Sequence, residues 1–411
     1  MASGIPVIHH ESRRMGGRNP HEPHRAATPL ELLFDLTFAT SFSLAASQFA
    51  EALAAGRYAP ALLGFGFASA AICWAWINFS WFSSAYDTDD WMFRIVTMVQ
   101  MVGVLVLAIG LPRMFASIER HEPFDNSVMV LGYVVMRAAL VLQWLRAATQ
   151  DPGRRRVCLI YAATIAIAQV GWVVQIAVPL RVSAAILLGI VLVLIEMLGP
   201  VLAERQAGGT PWHAHHIAER YSLFAIIALG EGVVGTVAAL SAVIERQSWT
   251  LDAMLIGTAG IGLTFGMWWV YFLLPSGDVL QRHRDRAPVW GYVQMLIVTS
   301  IVATGAGLHV AAFFIEHNAR ITVVGAVLVV AVPVVGFLGL LHALYYYLVR
   351  RFRAFDAYLL IASSGVAGIA VIAAAVNIRL ANCLVILMLA PAVTVIAYEV
   401  LGYRRQPELA G

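Results

Sequence analysis

The sequence contains no lysine, and only 12% of its 411 residues are charged. A soluble domain carries about 25% charged residues, whereas 60% of this chain is hydrophobic. This composition excludes a domain that is dissolved in water. The 27 basic residues are all arginines, and they are scattered between apolar runs. Because they form no basic stripe, the net charge of +3 does not indicate nucleic-acid binding.

Cysteine is also scarce, since Cys73, Cys158 and Cys383 are the three in the chain and each lies in an apolar segment. An odd number without paired spacing indicates neither a disulfide framework nor a zinc site. No phosphate-binding loop, dinucleotide fingerprint or nucleophile elbow occurs in a strand-to-helix context. We therefore expect no cofactor and no metal, assign no catalytic residue and regard an enzyme as the less favoured class.

Long apolar runs recur along the chain. The hydrocarbon core of a membrane is about 30 Å thick and a helix rises about 1.5 Å per residue, so a spanning helix needs about 20 mostly apolar residues. About twelve such runs predict an all-α polytopic membrane protein with one transmembrane domain over residues 30–403. The predicted spans lie near residues 30–53, 60–83, 92–115, 126–148, 157–178, 182–203, 215–240, 250–274, 289–315, 321–348, 356–376 and 380–402.

The two ends of the chain lack such runs. Residues 1–29 hold four arginines, four histidines and four prolines, which predicts a disordered tail, and residues 404–411 form a short second tail. Of the 27 arginines, 18 fall in the tails or the even-numbered loops of the predicted map and seven fall in the odd-numbered loops. The positive-inside rule therefore predicts that both termini are cytoplasmic.

Short sequence words recur at a nearly constant offset. "WAWINF" at Trp74–Phe79 parallels "MWWVYF" at Met267–Phe272, and "VQM" at Val99–Met101 recurs at Val293–Met295. This spacing favours two six-helix repeats in the same orientation, over residues 30–203 and 213–403, an arrangement that many carriers share. Chance recurrence of short apolar words is the alternative.

Four longer motifs carry a family resemblance. They are "ELLFDLTFATSF" from Glu31, "YDTDD" from Tyr86, "HHIAERYSLFAIIALGEGVV" from His215 and "WWVYF" from Trp268. Together they resemble the bacterial low temperature requirement A family over nearly the whole chain. One departure is Gly232, where many relatives are expected to carry a small hydroxyl residue. The family name refers to growth in the cold; the resemblance implies a multi-pass protein of the bacterial inner membrane and no established substrate, reaction or cofactor.

Acidic residues near the start of the first span are the first candidates for function. A charged side chain at mid-depth in a membrane costs at least about 2.5–3.5 kcal/mol, so each one is a functional candidate. Glu31 and Asp35 are four residues apart and therefore lie on one helical face. The alternative is that both are exposed acids that stabilise a helix N-terminus.

A second acidic group, Asp87, Asp89 and Asp90, lies in the loop before the third span. The predicted topology places this loop with Glu31 and Asp35 on the cytoplasmic side, where we expect these acids and the start of the seventh span to form one site. A turn followed by a helix cap is the alternative, because aspartate suits both positions.

The seventh span carries two polar pairs. His215 and Glu219 are four residues apart, as are His216 and Arg220 on the adjoining stripe. These four residues are candidates for a solute or ion pathway. Alternatively, Arg220 and the histidines extend to the lipid headgroups.

Glu231 lies eleven residues beyond Arg220, about 16 Å deeper along the helix. At that depth its carboxyl group is expected to be protonated or paired. Arg137 in the fourth span is the expected partner, and Glu196 in the sixth span competes for it.

These features favour a carrier for a small solute or ion, with a proton-coupled step at Glu231. The expected partners are membrane lipids and that solute or ion. One alternative is an intramembrane enzyme that acts on lipid at the cytoplasmic face; in its metal-dependent version, acidic and histidine side chains would hold a divalent cation. Another is a non-catalytic membrane protein that supports growth in the cold.

Overall fold

The computed structural model of the protein describes residues 13–23, 25–120, 123–206, 208–350 and 354–402. Helix accounts for 85% of the structure, and the described residues contain no strand. The tail predicted at residues 404–411 lies outside the described residues, as do residues 1–12. The all-α fold class is confirmed.

The described residues form thirteen α-helices, and twelve candidate spans are long and apolar enough to cross a membrane. This confirms the predicted number of spans, and the short α9 is an addition after the eighth. The helices are α1 (Pro29–Ala54), α2 (Tyr58–Tyr86), α3 (Trp91–Arg120), α4 (Ser127–Gln150), α5 (Arg155–Ala177), α6 (Val182–Glu204), α7 (Ala214–Gln247), α8 (Leu251–Phe272), α9 (Ser276–Arg282), α10 (Ala287–Ile315), α11 (Val323–Val349), α12 (Ala354–Ala375) and α13 (Leu380–Ala397).

Capping residues explain where several helices begin. In α1 the Thr28 hydroxyl accepts a hydrogen bond from the Glu31 N–H at 3.3 Å, and the Glu31 carboxylate accepts one from the Thr28 N–H at 2.7 Å. This reciprocal pair is a capping box, and Pro29 fits the first helical position, which needs no N–H donor. Thr250 and Thr322 cap α8 and α11 in a similar way, each accepting from a backbone N–H.

Apolar side chains on the outside of α6 are consistent with a lipid environment. Leu187, Ile190, Leu194 and Leu198 are between 52% and 65% exposed. Only 28% of the most apolar window of this helix is buried within the protein. A contiguous apolar surface of this kind is unusual in water and is expected against lipid tails.

The chain divides into two compact units, and α1, α2, α3 and α7 each contribute residues to both. In unit 1, α4 packs against α5 and α5 packs against α6. In unit 2, α10 packs against α11, and α13 packs against α8 and α12. These units are not the two sequence halves, so the parallel repeat stays a prediction. Unit 1 comprises the described residues within Met1–Thr37, Ala75–Gly110 and His121–Ile217, and unit 2 those within Phe38–Trp74, Leu111–Arg120 and Ala218–Gly411.

Each unit has an aromatic core of its own. In unit 1, Trp144 stacks on Tyr161 with ring centroids 4.2 Å apart, and Phe82 meets the Trp144 ring edge-on at 4.8 Å. In unit 2, Tyr221 packs against Trp290 at 4.5 Å. Such aromatic pairs contribute about 0.5–1.5 kcal/mol beyond the area they bury.

The segment before α1 corrects one expectation, because its described residues pack against unit 1 instead of being disordered. Met15 is fully buried, and its N–H donates to the Gln150 side chain at 2.6 Å. The Arg18 N–H donates to the Ala85 carbonyl at 2.9 Å. The composition of the segment predicts disorder because it carries little apolar surface, but helix ends of unit 1 supply polar partners for its backbone and its arginines.

Candidate functional site

Glu31 is the centre of a buried network in unit 1. Its Oε1 accepts a hydrogen bond from the Ser83 hydroxyl at 2.6 Å, and its Oε2 lies 3.2 Å from Nε2 of His216. The Arg25 guanidinium is 3.8 Å from Oε1 and supplies a positive charge. Glu31 and His216, two residues predicted from the sequence, are therefore brought together. Glu31 does cap α1, but it is fully buried and not an exposed terminal acid.

Asp35 lies one turn further along α1 and is 1% exposed. Its Oδ1 accepts a hydrogen bond from the indole N–H of Trp76 at 2.6 Å. Trp76 and Ser83 both belong to α2, so the two acids of α1 share a face and contact the same neighbouring helix. The shared face that the spacing of four residues predicts is present.

Asp87 follows the end of α2 and joins the Glu31 network through Arg25. Its Oδ2 accepts a hydrogen bond from Arg25 Nη2 at 3.4 Å, and its Oδ1 accepts one from the Asp89 N–H at 2.8 Å. Burial raises the pKa of Asp87 to about 6, and the negative charge of Glu31 adds to this effect. The positive charges of Arg25 and Arg18 and the hydrogen bond from Asp89 oppose it. The pKa of Asp87 is therefore held above the ordinary value of an aspartate.

This pKa makes the effect of Asp87→Asn depend on pH. A carboxyl group whose pKa is higher in the folded protein binds more protons when folded, so its contribution to stability falls as pH rises from about 4 to about 6. Asparagine has no such dependence. We expect the stability of Asp87→Asn relative to wild type to rise by on the order of 3 kcal/mol between pH 4 and pH 7. Thermal unfolding of both proteins at matched pH values measures this difference, and a difference that is constant with pH would contradict it.

Asp89 and Asp90 fit the turn-and-cap interpretation. Asp89 has a positive φ of 47°, and its side chain forms an exposed ion pair with Arg94 at 2.8 Å. Asp90 caps α3 and accepts a hydrogen bond from Arg146 Nη1 at 3.0 Å and one from the Arg13 N–H, also at 3.0 Å. Burial acts to raise the pKa of Asp90, but the hydrogen bonds outweigh it and hold the pKa below its ordinary value. These two acids have partners other than Glu31.

The start of α7 separates into two stripes, as the spacing predicts. His215 and Glu219 are exposed, whereas His216 and Arg220 are fully buried. Extension to the headgroups therefore does not describe Arg220, which lies in the part of α7 that belongs to unit 2. Just before the helix, burial lowers the pKa of the His213 ring below its ordinary value.

Arg137 and Glu196 form a buried ion pair between α4 and α6 in unit 1. Arg137 Nη2 donates to Glu196 Oε2 at 2.6 Å, and each side chain is 1% exposed. The Tyr133 hydroxyl also donates to Oε2 at 2.6 Å, while Gln169 and Trp172 donate to Oε1 at 3.0 and 3.1 Å. Arg137 lies about 15 Å from the start of α4, far from either end of the helix.

The expected pair of Arg137 with Glu231 is therefore wrong, and the competing residue Glu196 is the partner of Arg137. Glu231 lies in unit 2, is 4% exposed and accepts a short hydrogen bond from the Ser43 hydroxyl. Close packing surrounds it, because a Cβ atom added to Gly305 of α10 would lie 2.5 Å from the Glu231 backbone. Glu231 thus has a neutral partner in a tightly packed part of the membrane domain.

Several buried amides in unit 1 were not among the predicted candidates. The Gln100 side chain donates to Gln143 at 3.0 Å, and Gln143 in turn donates to the Thr97 hydroxyl at 3.3 Å. Asn78 accepts from Arg137 at 3.3 Å. The sequence signal that could have identified them is the presence of amide side chains within otherwise apolar spans, where an unpaired polar group is costly.

A small cavity in unit 2 contacts His342. Its volume is about 50 Å³, and it is lined by Val270, Leu273, Leu274, Leu341, His342, Tyr345, Thr394 and Tyr398. His342 Nδ1 lies 2.8 Å from the Leu338 carbonyl oxygen and donates a hydrogen bond to it. A cavity of about 150 Å³ holds benzene, so this one fits only a few water-sized molecules.

Within the part of the chain that the structure describes, no three side chains of histidine, cysteine, aspartate or glutamate form a group that could hold a metal ion. Glu31 instead contacts Arg25, Ser83 and His216, and Asp87 contacts Arg25 and the Asp89 N–H.

The twelve candidate spans of the described residues, with ionisable side chains buried in several of them, indicate a polytopic helical membrane protein. The chain belongs to the bacterial low temperature requirement A family, because the model of that family matches residues 26–393. This match confirms the resemblance that the motifs carry.

The chain is also similar to a protein of Rhizobium meliloti (strain 1021) with the name "Uncharacterized protein RA0937". The two are 27% identical over 299 residues, which cover 67% of each chain. No solved structure gives a significant match.

Proposed function

We propose that this protein is a carrier of the bacterial cytoplasmic membrane that moves a small solute or ion together with a proton. The observation that carries the proposal is the pair of Arg137 and Glu196, buried far from the ends of α4 and α6. Ionisable residues inside a membrane are costly, and they usually belong to substrate, ion or proton pathways.

Polar groups at successive depths along α4 support a pathway through unit 1. Arg146, near the end of the helix, pairs with Asp90. Gln143 is about 5 Å deeper and hydrogen-bonds Gln100, and Arg137 is about 9 Å deeper again. Ionisable side chains are costly inside a membrane, so a series of polar groups at successive depths favours a pathway.

Glu231 is the proposed proton-binding group. It lies on α7 in unit 2, and its carboxyl group has the Ser43 hydroxyl as its hydrogen-bond partner among the described residues. A carboxyl group with a neutral partner in a membrane can bind and release a proton as its surroundings change, which is the property that a proton-coupled carrier needs.

The proposed orientation places both termini in the cytoplasm. The distribution of arginines, 18 in the tails and even-numbered loops against seven in the odd-numbered loops, supports it. In that orientation the Glu31 network is at the cytoplasmic end of unit 1.

Replacing Glu231 tests the proposal. Purified protein in liposomes that contain a pH-sensitive dye would be exposed to inward gradients of a panel of small ions and metabolites. We expect at least one gradient to drive proton movement in wild type and expect Glu231→Gln to reduce that movement by about tenfold or more, because glutamine cannot carry the proton.

Glu245→Gln is the matched control, since Glu245 is exposed near the end of the same helix. This variant is expected to behave as wild type does. Proton movement that survives unchanged in Glu231→Gln would show that Glu231 does not couple transport to protons. A wild-type protein that moves no member of the panel would count against a carrier for these solutes.

A further inference from the structure

We infer that Arg137 binds a small oxyanion inside unit 1, with a monocarboxylate as the first candidate. This inference rests on the proposed carrier function, because it names the class of solute that would pass through unit 1. The binding step itself is measurable without transport.

Some N–H groups of the Arg137 guanidinium have no hydrogen-bond acceptor. Nη2 donates to Glu196 and Asn78. Nε and Nη1 are buried and have no hydrogen-bond partner among the residues that the structure describes. A charged donor without an acceptor is costly in an apolar interior, so the site lacks a group that accepts hydrogen bonds.

Glu196 does not supply the missing acceptors. Its two oxygens already accept hydrogen bonds from Tyr133, Arg137, Gln169 and Trp172. A carboxylate has room for about four such bonds, so Glu196 is held in place and its capacity is used. The pair therefore keeps Arg137 inside the membrane domain while Nε and Nη1 remain available to a ligand.

The surroundings select an acceptor that approaches in the plane of the guanidinium. The Tyr133 ring covers one face of the group, with Cζ of Arg137 5.4 Å from the ring centroid. Planar oxyanions are the ligands that arginine N–H groups match best in direction and charge. Since the free nitrogens are fully buried, the ligand must be small.

Gln169 adds one acceptor to the same site. Its Nε2 donates to Glu196 at 3.0 Å, while its Oε1 is buried and receives no hydrogen bond from the described residues. An oxyanion that also carries a hydroxyl donor, such as a hydroxy acid, would satisfy both Arg137 and Gln169. We therefore expect hydroxy acids to bind more tightly than simple acids of the same size.

Direct binding tests this inference on the full chain in detergent. Binding of radiolabelled acetate, competed by formate, lactate, nitrate, phosphate or chloride, would be measured on wild type, Arg137→Lys and Arg57→Lys. Lysine keeps the positive charge but loses the Nε and Nη1 donors. We expect saturable binding to wild type and at least about tenfold weaker binding to Arg137→Lys.

Arg57→Lys is the control, because Arg57 forms an exposed ion pair with Glu119 in unit 2, outside the proposed pathway. It is expected to bind acetate as wild type does. If Arg137→Lys does not fold, the double variant Arg137→Gln and Glu196→Gln replaces both charges and is expected to fold without binding acetate. Competition by lactate and formate but not nitrate or phosphate would identify a carboxylate, and competition by all oxyanions would identify the wider class.

Two results would overturn the inference. In the first, wild type shows no saturable binding of any anion, and water then satisfies the free nitrogens. In the second, Arg137→Lys binds anions as wild type does. Its failure is distinguishable from failure of the proposed function. Anion binding that depends on Arg137 in a protein that transports nothing would retain the site and reject the carrier. Transport of a cation or a neutral solute without anion binding would retain the carrier and reject the anion site.

Discussion

Replacing Glu196 with alanine is expected to lower the free energy of unfolding by about 3–5 kcal/mol, one of the two largest effects that the structure predicts. The reason is that Arg137 is 1% exposed and its Nη2 donates to Glu196 at 2.6 Å, so the substitution leaves a buried positive charge without its counter-ion. The variant also removes the acceptor for Tyr133 and Trp172. Unfolding in a fixed detergent, followed by tryptophan fluorescence, measures the loss.

Removing both charges separates the cost of the unpaired arginine from the cost of lost packing. The double variant Arg137→Met and Glu196→Leu is expected to recover most of the stability, because well-packed apolar side chains often replace a buried ion pair without loss. Glu204→Ala on the same helix is the control, since Glu204 accepts from the neutral groups of Tyr161 and Thr210 and its loss should cost about 1–2 kcal/mol. A double variant that is as unstable as Glu196→Ala would show that packing, and not charge, explains the effect.

The helices of this fold could be predicted because their signal is local. Each span is a run of about 20 apolar residues, and the cost of exposing its backbone in lipid forces it to be a helix. The capping box at Thr28 and Glu31 is equally local, since the T-x-x-E spacing is visible in the sequence. The spacing of four residues likewise predicts that His215 and His216 lie on different stripes of α7. His215 is exposed and His216 is buried.

The partners of the buried charges could not be predicted in the same way. Arg137 contacts Glu196, which is 59 residues away, and hydropathy gives only the depth of each residue and not the direction in which it points. A prediction from sequence therefore pairs Arg137 with Glu231 and can name Glu196 only as a competitor. The contact depends on how α4, α5 and α6 pack, and that information is distributed over many apolar side chains.

The segment before α1 shows the limit of composition as a guide. Its arginines predict disorder when they are considered alone, yet Arg25 is buried between Glu31 and Asp87. Those acids are costly to bury without a cation, so the helix ends and the segment stabilise each other. A prediction from composition treats the two parts separately and misses this dependence.

Close packing of α3 on α4 underlies the other large expected effect. A Cβ atom added to Gly132 would lie 2.2 Å from the Leu107 nitrogen and 2.5 Å from the Gly103 carbonyl oxygen, and one added to Gly110 would lie 2.2 Å from the Met129 nitrogen. These are backbone atoms, so no side chain can move aside and the two helices must separate. Small residues at such crossings are what allows membrane helices to pack closely.

Gly132→Ala is therefore expected to lower the free energy of unfolding by about 3 kcal/mol, at the upper end of the usual range for overpacking. Gly368→Ala in α12 is the control: a Cβ atom there would meet nothing within 4 Å, and alanine is expected to stabilise the helix by up to about 1 kcal/mol. The same unfolding assay measures both. Equal stability of Gly132→Ala and wild type would mean that α3 and α4 are further apart than the structure shows. Because Arg137 lies about 8 Å along α4 from Gly132, a separation of these helices should also weaken the pair with Glu196.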